Sequence, residues 1–319
     1  MAQHFLLSAK ARTLSLAKVM RLSDEEAYET FKAIRWAETE GEPVCPRCGG
    51  LEAYSYASRR IFKCKACGSQ FSLTTGTIFA SRKLAIRDLL AAIAIFVNGA
   101  KGISACQLSR DLDVQYKTAF VLAHKLREAM ALEVHASKLG GEVEIDGAYF
   151  GGYVKPENHK ADRKDRRLKE NQSGKRRVVV VMRERSGKTR PIVRYSEDEA
   201  VADVLDNVKP ASTIYADEGS AWDTLHDYYL TRRINHSIAY SDDGACTNQA
   251  ESYFSRLRRA EIGTHHRISG RYLDCYANEM AWREDHRRIS NGQQFESVVA
   301  LALAHPVSRQ WKGYWQRSS

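Results

Sequence analysis

The chain has 319 residues, 43% hydrophobic and 28% charged, which is material for about two domains with ordinary cores. Lys and Arg outnumber Asp and Glu by 49 to 39, a net charge of +10, so the first partner to expect is a polyanion, nucleic acid above all. The longest apolar run, 89–97, is too short to cross a bilayer, and the charged N-terminus lacks the apolar stretch of a leader, which argues against a membrane protein and makes a cytoplasmic one the expectation.

Residues 1–40 read as a helical segment. Ser23-Asp24-Glu25-Glu26 has the form of a helix start, and Ala27, Phe31, Ile34 and Trp36 give that helix an apolar face to pack on the next module. Residues 41–80 hold Cys45-Pro-Arg-Cys48 and Cys64-Lys-Ala-Cys67, with a strand-like stretch between the pairs. Two such knuckles place four thiolates around one tetrahedral Zn²⁺, and Gly49 and Gly68 allow the tight turn at each. Four sulfur ligands leave no open position, so the zinc of this ribbon is structural. Seven cysteines are an odd number, which argues against a disulfide framework. Arg59 and Arg60, between the knuckles, are candidate phosphate contacts.

Residues 81–135 have the helical period. An apolar helix from 86 to 97 closes at Asn98-Gly99, a short helix follows Ser104, Asp113-Val114 makes a turn, and a third helix begins near Lys117. Two helices across a tight turn describe a helix-turn-helix whose second helix would offer Gln115, Lys117 and Thr118 to a DNA major groove. A plain helical hairpin fits the same pattern. His124 and Arg127 also match a His-x-x-Arg element of covalent tyrosine recombinases, although no tyrosine cluster lies near them in sequence.

After Gly140-Gly141 the period falls to two. Strands are expected at 143–150, 177–182 and 191–195, separated by a basic polar loop at 153–175 and a turn at 185–188. A helix over 197–208, a strand over 212–217, a helix over 220–229, a short strand over 236–240 and a helix from 247 to 259 follow. That order describes an α/β domain, over about 140–290, with a mixed sheet and flanking helices, ahead of a tail at 291–319.

Asp146 lies on the first of these strands and Asp217 ends the fourth, so a mixed sheet brings both into one crevice. On the last helix Ala250, Tyr253, Phe254 and Leu257 form one face, with Asn248, Glu251, Ser255 and Arg258 in a polar stripe beside it. Three carboxylates can hold two hard cations about 4 Å apart, activating an attacking oxygen and stabilising a leaving one, while an Arg holds the phosphate. Each acid also has a structural reading. Asp146 could end its strand at Gly147, Asp217 could cap the next helix, and Asn248 with Glu251 three residues on has the form of a capping box.

Glu144-Ile-Asp146-Gly-Ala-Tyr149-Phe-Gly151-Gly152, Ile214-Tyr-Ala-Asp217-Glu218, and the run from His236 through Thr247-Asn248-Gln-Ala-Glu251 to Gly263-Thr-His-His266 resemble the insertion-sequence transposases with an N-terminal zinc ribbon ahead of an ISXO-like DDE domain. The resemblance covers about 45–288. It implies a ribonuclease-H-like catalytic domain in which Asp146, Asp217 and Glu251 bind Mg²⁺ or Mn²⁺. The implied protein is a DNA transposase of a bacterial insertion sequence. It would bind terminal inverted repeats in double-stranded DNA, hydrolyse a phosphodiester to expose a 3′-OH and join that end to target DNA, as a homodimer or larger assembly. The 34 residues from Asp217 to Glu251 are close to the usual interval, and Arg258 stands where such enzymes often carry Lys or Arg. Two positions depart from the pattern. Cys246 replaces an expected His, and part of the family uses an Asn as third catalytic residue, which makes Asn248 a rival of Glu251. The alternative function is a DNA-binding regulator with the same ribbon and helix-turn-helix and an inactive nuclease-like domain.

Overall fold

The computed structural model describes residues 5–317 apart from 153, 166, 167, 172, 186 and 235–245. It divides into two units, 1–133 together with 286–319, and 134–285.

The first unit opens with α1 (Leu16–Met20) and α2 (Asp24–Arg35). Ser23 caps α2: its hydroxyl accepts from the Glu26 N–H, and the Glu26 carboxylate accepts from the Ser23 N–H. The ribbon follows as an antiparallel sheet of β1 (Ala53–Tyr56), β2 (Ile61–Cys64) and β3 (Gln70–Ser72) in that order. So small a sheet borrows its core. Trp36 packs edge-on against Phe62 and Phe71, with centroids 5.6 and 6.4 Å away, and Arg35 donates to the carbonyls of Ser72 and Thr75. Next come α3 (Ile86–Asn98), whose Leu90, Ile93 and Phe96 are fully buried, then α4 (Ala105–Asp111), capped by Ser104, and α5 (Tyr116–Val134). The turn before α5 places Asp113 in the left-handed region at φ +50°.

The second unit is built on β4 (Glu142–Phe150), β5 (Arg177–Glu184), β6 (Thr189–Arg194), β7 (Thr213–Asp217) and β8 (Leu230–Ile234), in the spatial order β6-β5-β4-β7-β8. The first three form an antiparallel meander, while β7 runs parallel to β4 and β8 parallel to β7. This is the ribonuclease-H-like mixed sheet that the resemblance implies. Val178, Val179, Val180, Val181 and Met182 are all fully buried, because β5 has helices over both faces; its valine run therefore shows no alternation. α6 (Val201–Asn207) and a 3₁₀ run, Ser220–Asp227, cover one face through Val204, Trp222 and Leu225. α7 (Asn248–Ala260) and α8 (Leu273–Asp285) cover the other, α7 on β4 and β5, α8 on β6. The 220–229 segment is thus a 3₁₀ run and not the expected α-helix, and β8 is a strand where none was expected. The strand expected at 236–240 and nearly all of the following loop lie outside the described residues.

The chain then returns to the first unit. The segment expected as a tail holds two helices, α9 (Asn291–Ala304) and α10 (Tyr314–Arg317). Ser290 and Gln293 form a capping box at the start of α9, which contacts α2 and α3. The Trp315 indole N–H, on α10, donates to the Lys117 carbonyl on α5 at 3.2 Å. Among the described residues no helix is long and apolar enough to cross a membrane.

Candidate active site

In the ribbon the sulfurs of Cys45, Cys48, Cys64 and Cys67 all lie within 4.8 Å of one another. Each knuckle closes by a glycine N–H donating to the carbonyl of its first cysteine, Gly49 to Cys45 and Gly68 to Cys64. Both glycines are left-handed, at φ +73° and +68°, where a side chain would be strained. Four convergent thiolates with no other donor are the ligand set of a structural zinc. Arg60 forms an ion pair with Glu25 at 3.0 Å and lies over the Tyr28 ring, so it joins the ribbon to α2; Arg59 is exposed at the turn between β1 and β2.

Gln115, Lys117 and Thr118 are exposed at the start of α5, across the turn from α4. His124 and Arg127 are not available to any substrate. His124 is fully buried with Nδ1 2.9 Å from the Phe120 carbonyl and its ring 4.3 Å from that of Trp311, and the buried Arg127 guanidinium faces the Phe96 ring. That pair is core, and the tyrosine-recombinase reading falls with it.

The carboxylates are placed by register. Ile145 of β4 pairs with Ala216 of β7, so Asp146 and Asp217 follow side by side. Val143, Ile145, Ile214 and Ala216 enter the core under α6, and strand alternation turns Glu144, Asp146, Tyr215 and Asp217 towards the α7 face. Asp146 accepts a 2.7 Å hydrogen bond from the Gly147 N–H, and Asp217 accepts one of 3.1 Å from the Gly219 N–H. Arg233 of β8 clamps that second turn by donating to the carbonyls of Asp217 and Gly219. Burial pushes Asp146 up to about 6; the Gly147 N–H opposes this, and the charges of Asp217, Glu197 and Glu251 add to it. Glu251 therefore shares the field of the two aspartates. Among the described residues only the four cysteines bring three or more ligand atoms within 4.8 Å of one another, so the carboxylates stand more open than a closed single-ion cage.

Gly147 does not end the strand, since it pairs with Val180 and β4 continues to Phe150. A Cβ there would lie 2.3 Å from Glu197 Oε1, so a larger residue would push the Glu197 side chain out of its present place. Glu197 thus brings a fourth carboxylate beside Asp146, and burial first, then Asp217 and Asp198, raise its pKa while Arg176 lowers it. Sequence reasoning missed it, because an acid at a helix start has the same local form whether or not it faces an active site. Nor does Asp217 cap a helix; the following 3₁₀ run has Gly219 at its N-cap.

The start of α7 differs from the capping box. Thr247 is the N-cap and its side chain makes no capping hydrogen bond, Asn248 is the first helical residue, and Glu251 is the fourth. The amides of Gln249 and Ala250 donate instead to Glu144 Oε2, at 2.8 and 3.2 Å. Glu144 is buried, and its other oxygen accepts from Arg185 Nε at 3.1 Å. Arg185 in turn stacks on Tyr215 at 3.7 Å and donates to the Cys246 carbonyl, so the residue that replaces the expected His belongs to this support. Behind it, Glu284 of α8 accepts from Arg183 and from Arg256 of α7. Glu144 was legible in principle, because it lies two residues before Asp146 and hence on the same strand face. Arg258 is exposed, about 10 Å along the axis from Glu251 at 1.5 Å per residue.

Two outcomes follow from this geometry. Glu144→Ala strands two helix amides and uncouples Arg185, and is expected to cost about 3 kcal/mol in denaturant unfolding; a loss below about 0.5 kcal/mol contradicts the role given to Glu144. For Asp146 the folded pKa is raised, so the native state binds more protons than the unfolded chain between about pH 4 and 6, and metal-free stability falls as pH rises through that window. Asp146→Asn is therefore expected to raise the melting temperature of the metal-free protein at pH 8 and to leave it nearly unchanged at pH 4. An equal shift at both values contradicts the assignment.

Comparison with known proteins agrees with this layout. Residues 138–285 match the model of the ISXO2-like transposase domain, and residues 22–70 match that of the transposase zinc-ribbon domain. The chain is 26% identical over 295 residues to an uncharacterized protein in transposable element ISH50 of Halobacterium salinarum, covering 88% of this chain and 98% of that relative. Among solved structures it is similar to the Mos1 strand transfer complex, at 13% identity over 67% of this chain and 78% of that one, with a TM-score of 0.26, too low to bear on the fold.

Proposed function

We propose, from the premise that the chain belongs to the insertion-sequence transposases that join a zinc ribbon to an ISXO2-like transposase domain, that its second unit cleaves and joins DNA with Asp146, Asp217 and Glu251 as metal-binding triad. Support comes from the parallel register of β4 and β7, which sets the two aspartates side by side on the face that α7 covers. The donor set suits Mg²⁺ or Mn²⁺: hard oxygens, with Asp146 half-buried and its acting charged neighbours further carboxylates. Bound ions would activate the attacking oxygen and stabilise the leaving one.

The chain's own part is positional. The Gly147 N–H holds one oxygen of Asp146 and leaves the other to a metal; the 217–219 turn, clamped by Arg233, does the same for Asp217. Glu144 fixes the α7 terminus and so the approach of Glu251, with exposed Asn248 as the rival third ligand. Arg258, about two turns further on, serves a phosphate flanking the scissile one. In the first step water attacks phosphorus and the 3′-oxygen leaves as a 3′-OH. In the second that 3′-OH attacks a target phosphodiester and displaces its 3′-oxygen, with no covalent protein intermediate. The active form would be a homodimer or larger assembly on double-stranded DNA, in the cytoplasm.

The test is cleavage of a labelled duplex carrying the element's terminal repeat. With Mg²⁺ the protein is expected to leave a 3′-OH and, given a pre-cleaved end, to join it to target DNA; EDTA stops both. Products ending in a 3′-phosphate, or cleavage indifferent to EDTA, contradict the proposal.

A further inference from the structure

The first unit contains a cavity of about 490 Å³ between the segment 79–84, the start of α5 and the C-terminal segment 311–316. Among the described residues its charged lining is Arg82, Lys83, Lys117, Lys125 and Lys312, with no carboxylate. Five cations around one half-open space repel one another; Lys125 among them is half-buried, and burial lowers its pKa, with Glu128 opposing and Lys312 adding a smaller lowering. An anion would relieve that repulsion.

Part of the lining is aromatic and held in place. Trp315 donates its indole N–H to the Lys117 carbonyl, lies under the Lys117 ammonium at 5.3 Å, and packs 5.6 Å from Phe120 and 5.3 Å from Tyr314. Its ring is only partly buried. A fixed aromatic face beside a cluster of cations is the combination that binds a nucleotide unit, the cations taking the phosphate and the ring the base. The C-terminal segment also lies against the start of α5, so Lys117 and Gln115 line a cavity and do not stand on a bare helix.

We infer that this cavity binds one unstacked nucleotide of a DNA strand, with its phosphate held among Lys117, Lys125 and Lys312 and its base against Trp315. The inference rests on the reading of the chain as a DNA-processing protein and adds a single-strand site in the unit that does not hold the carboxylates.

The experiment uses the full chain with zinc bound and a labelled 12-nucleotide oligothymidylate, with a duplex of equal length as reference. Trp315→Leu is expected to weaken single-strand binding about tenfold while duplex affinity stays within about twofold. Lys312 is exposed, so Lys312→Gln will fold, and it is expected to lower the slope of log affinity against log salt by about one for the single strand. Unchanged single-strand affinity and slope in Lys312→Gln, or an equal loss for single strand and duplex in a folded Trp315→Leu, overturns the inference. If the wild type cleaves duplex with Mg²⁺ yet binds no single strand, this site alone is refuted. A wild type that neither binds nor cleaves any DNA removes the underlying reading as well.

Discussion

Cys64→Ser is expected to release the zinc and unfold the ribbon. Cys64 Sγ lies 3.6 Å from Cys48 Sγ, and Cys64 also ends β2, so its loss removes a ligand and loosens the strand that carries it. The three strands have 4, 4 and 3 residues, too little sheet to stand without the metal, whose binding supplies roughly 10 kcal/mol of folding free energy in comparable modules. The effect should stay local: the unit 134–285 contains none of the four ligands and is expected to keep its own cooperative transition. Zinc content and calorimetry of the variant measure both. One zinc per chain with an unchanged first transition would contradict the ribbon as described.

The parts of the fold carried by local pattern were legible. The two cysteine pairs, with a glycine directly after each, specify the knuckles because only those residues meet the coordination and backbone demands. The valines of 178–181 marked a strand, which the structure buries on both faces, and Ser23 with Glu26 marked a helix start. Asp146 and Asp217 could be paired from strand order alone. What escaped was set by distant partners. β8 reads Leu-Thr-Arg-Arg-Ile, and among the described residues it is an edge strand paired on one side only, so its apolar pattern is weak. The start of α7 was misread by one residue, because its amides are satisfied by Glu144, over a hundred positions upstream. Glu197 and the glycine that admits it are a pair across space with no spacing to announce it. The C-terminal segment looked like a tail, since its apolar face meets α2 and α3 far back in the chain.

The third catalytic role is where the account can be tested most directly. The structure separates Glu251 from helix capping: Thr247 is the N-cap, Glu144 holds the amides, and Glu251 contributes instead to the field around Asp146. Glu251→Gln keeps the shape and the helix but removes the charge that a dication needs. The measurement is the rate of Mg²⁺-dependent strand cleavage for Glu251→Gln and Asn248→Ala side by side, with unfolding and DNA affinity as controls. The expected result is a loss of roughly a thousandfold in Glu251→Gln and a change of a few fold at most in Asn248→Ala, both variants folded and binding DNA. Cleavage by Glu251→Gln near the wild-type rate, with Asn248→Ala folded and inactive, would contradict it and move the third ligand to Asn248.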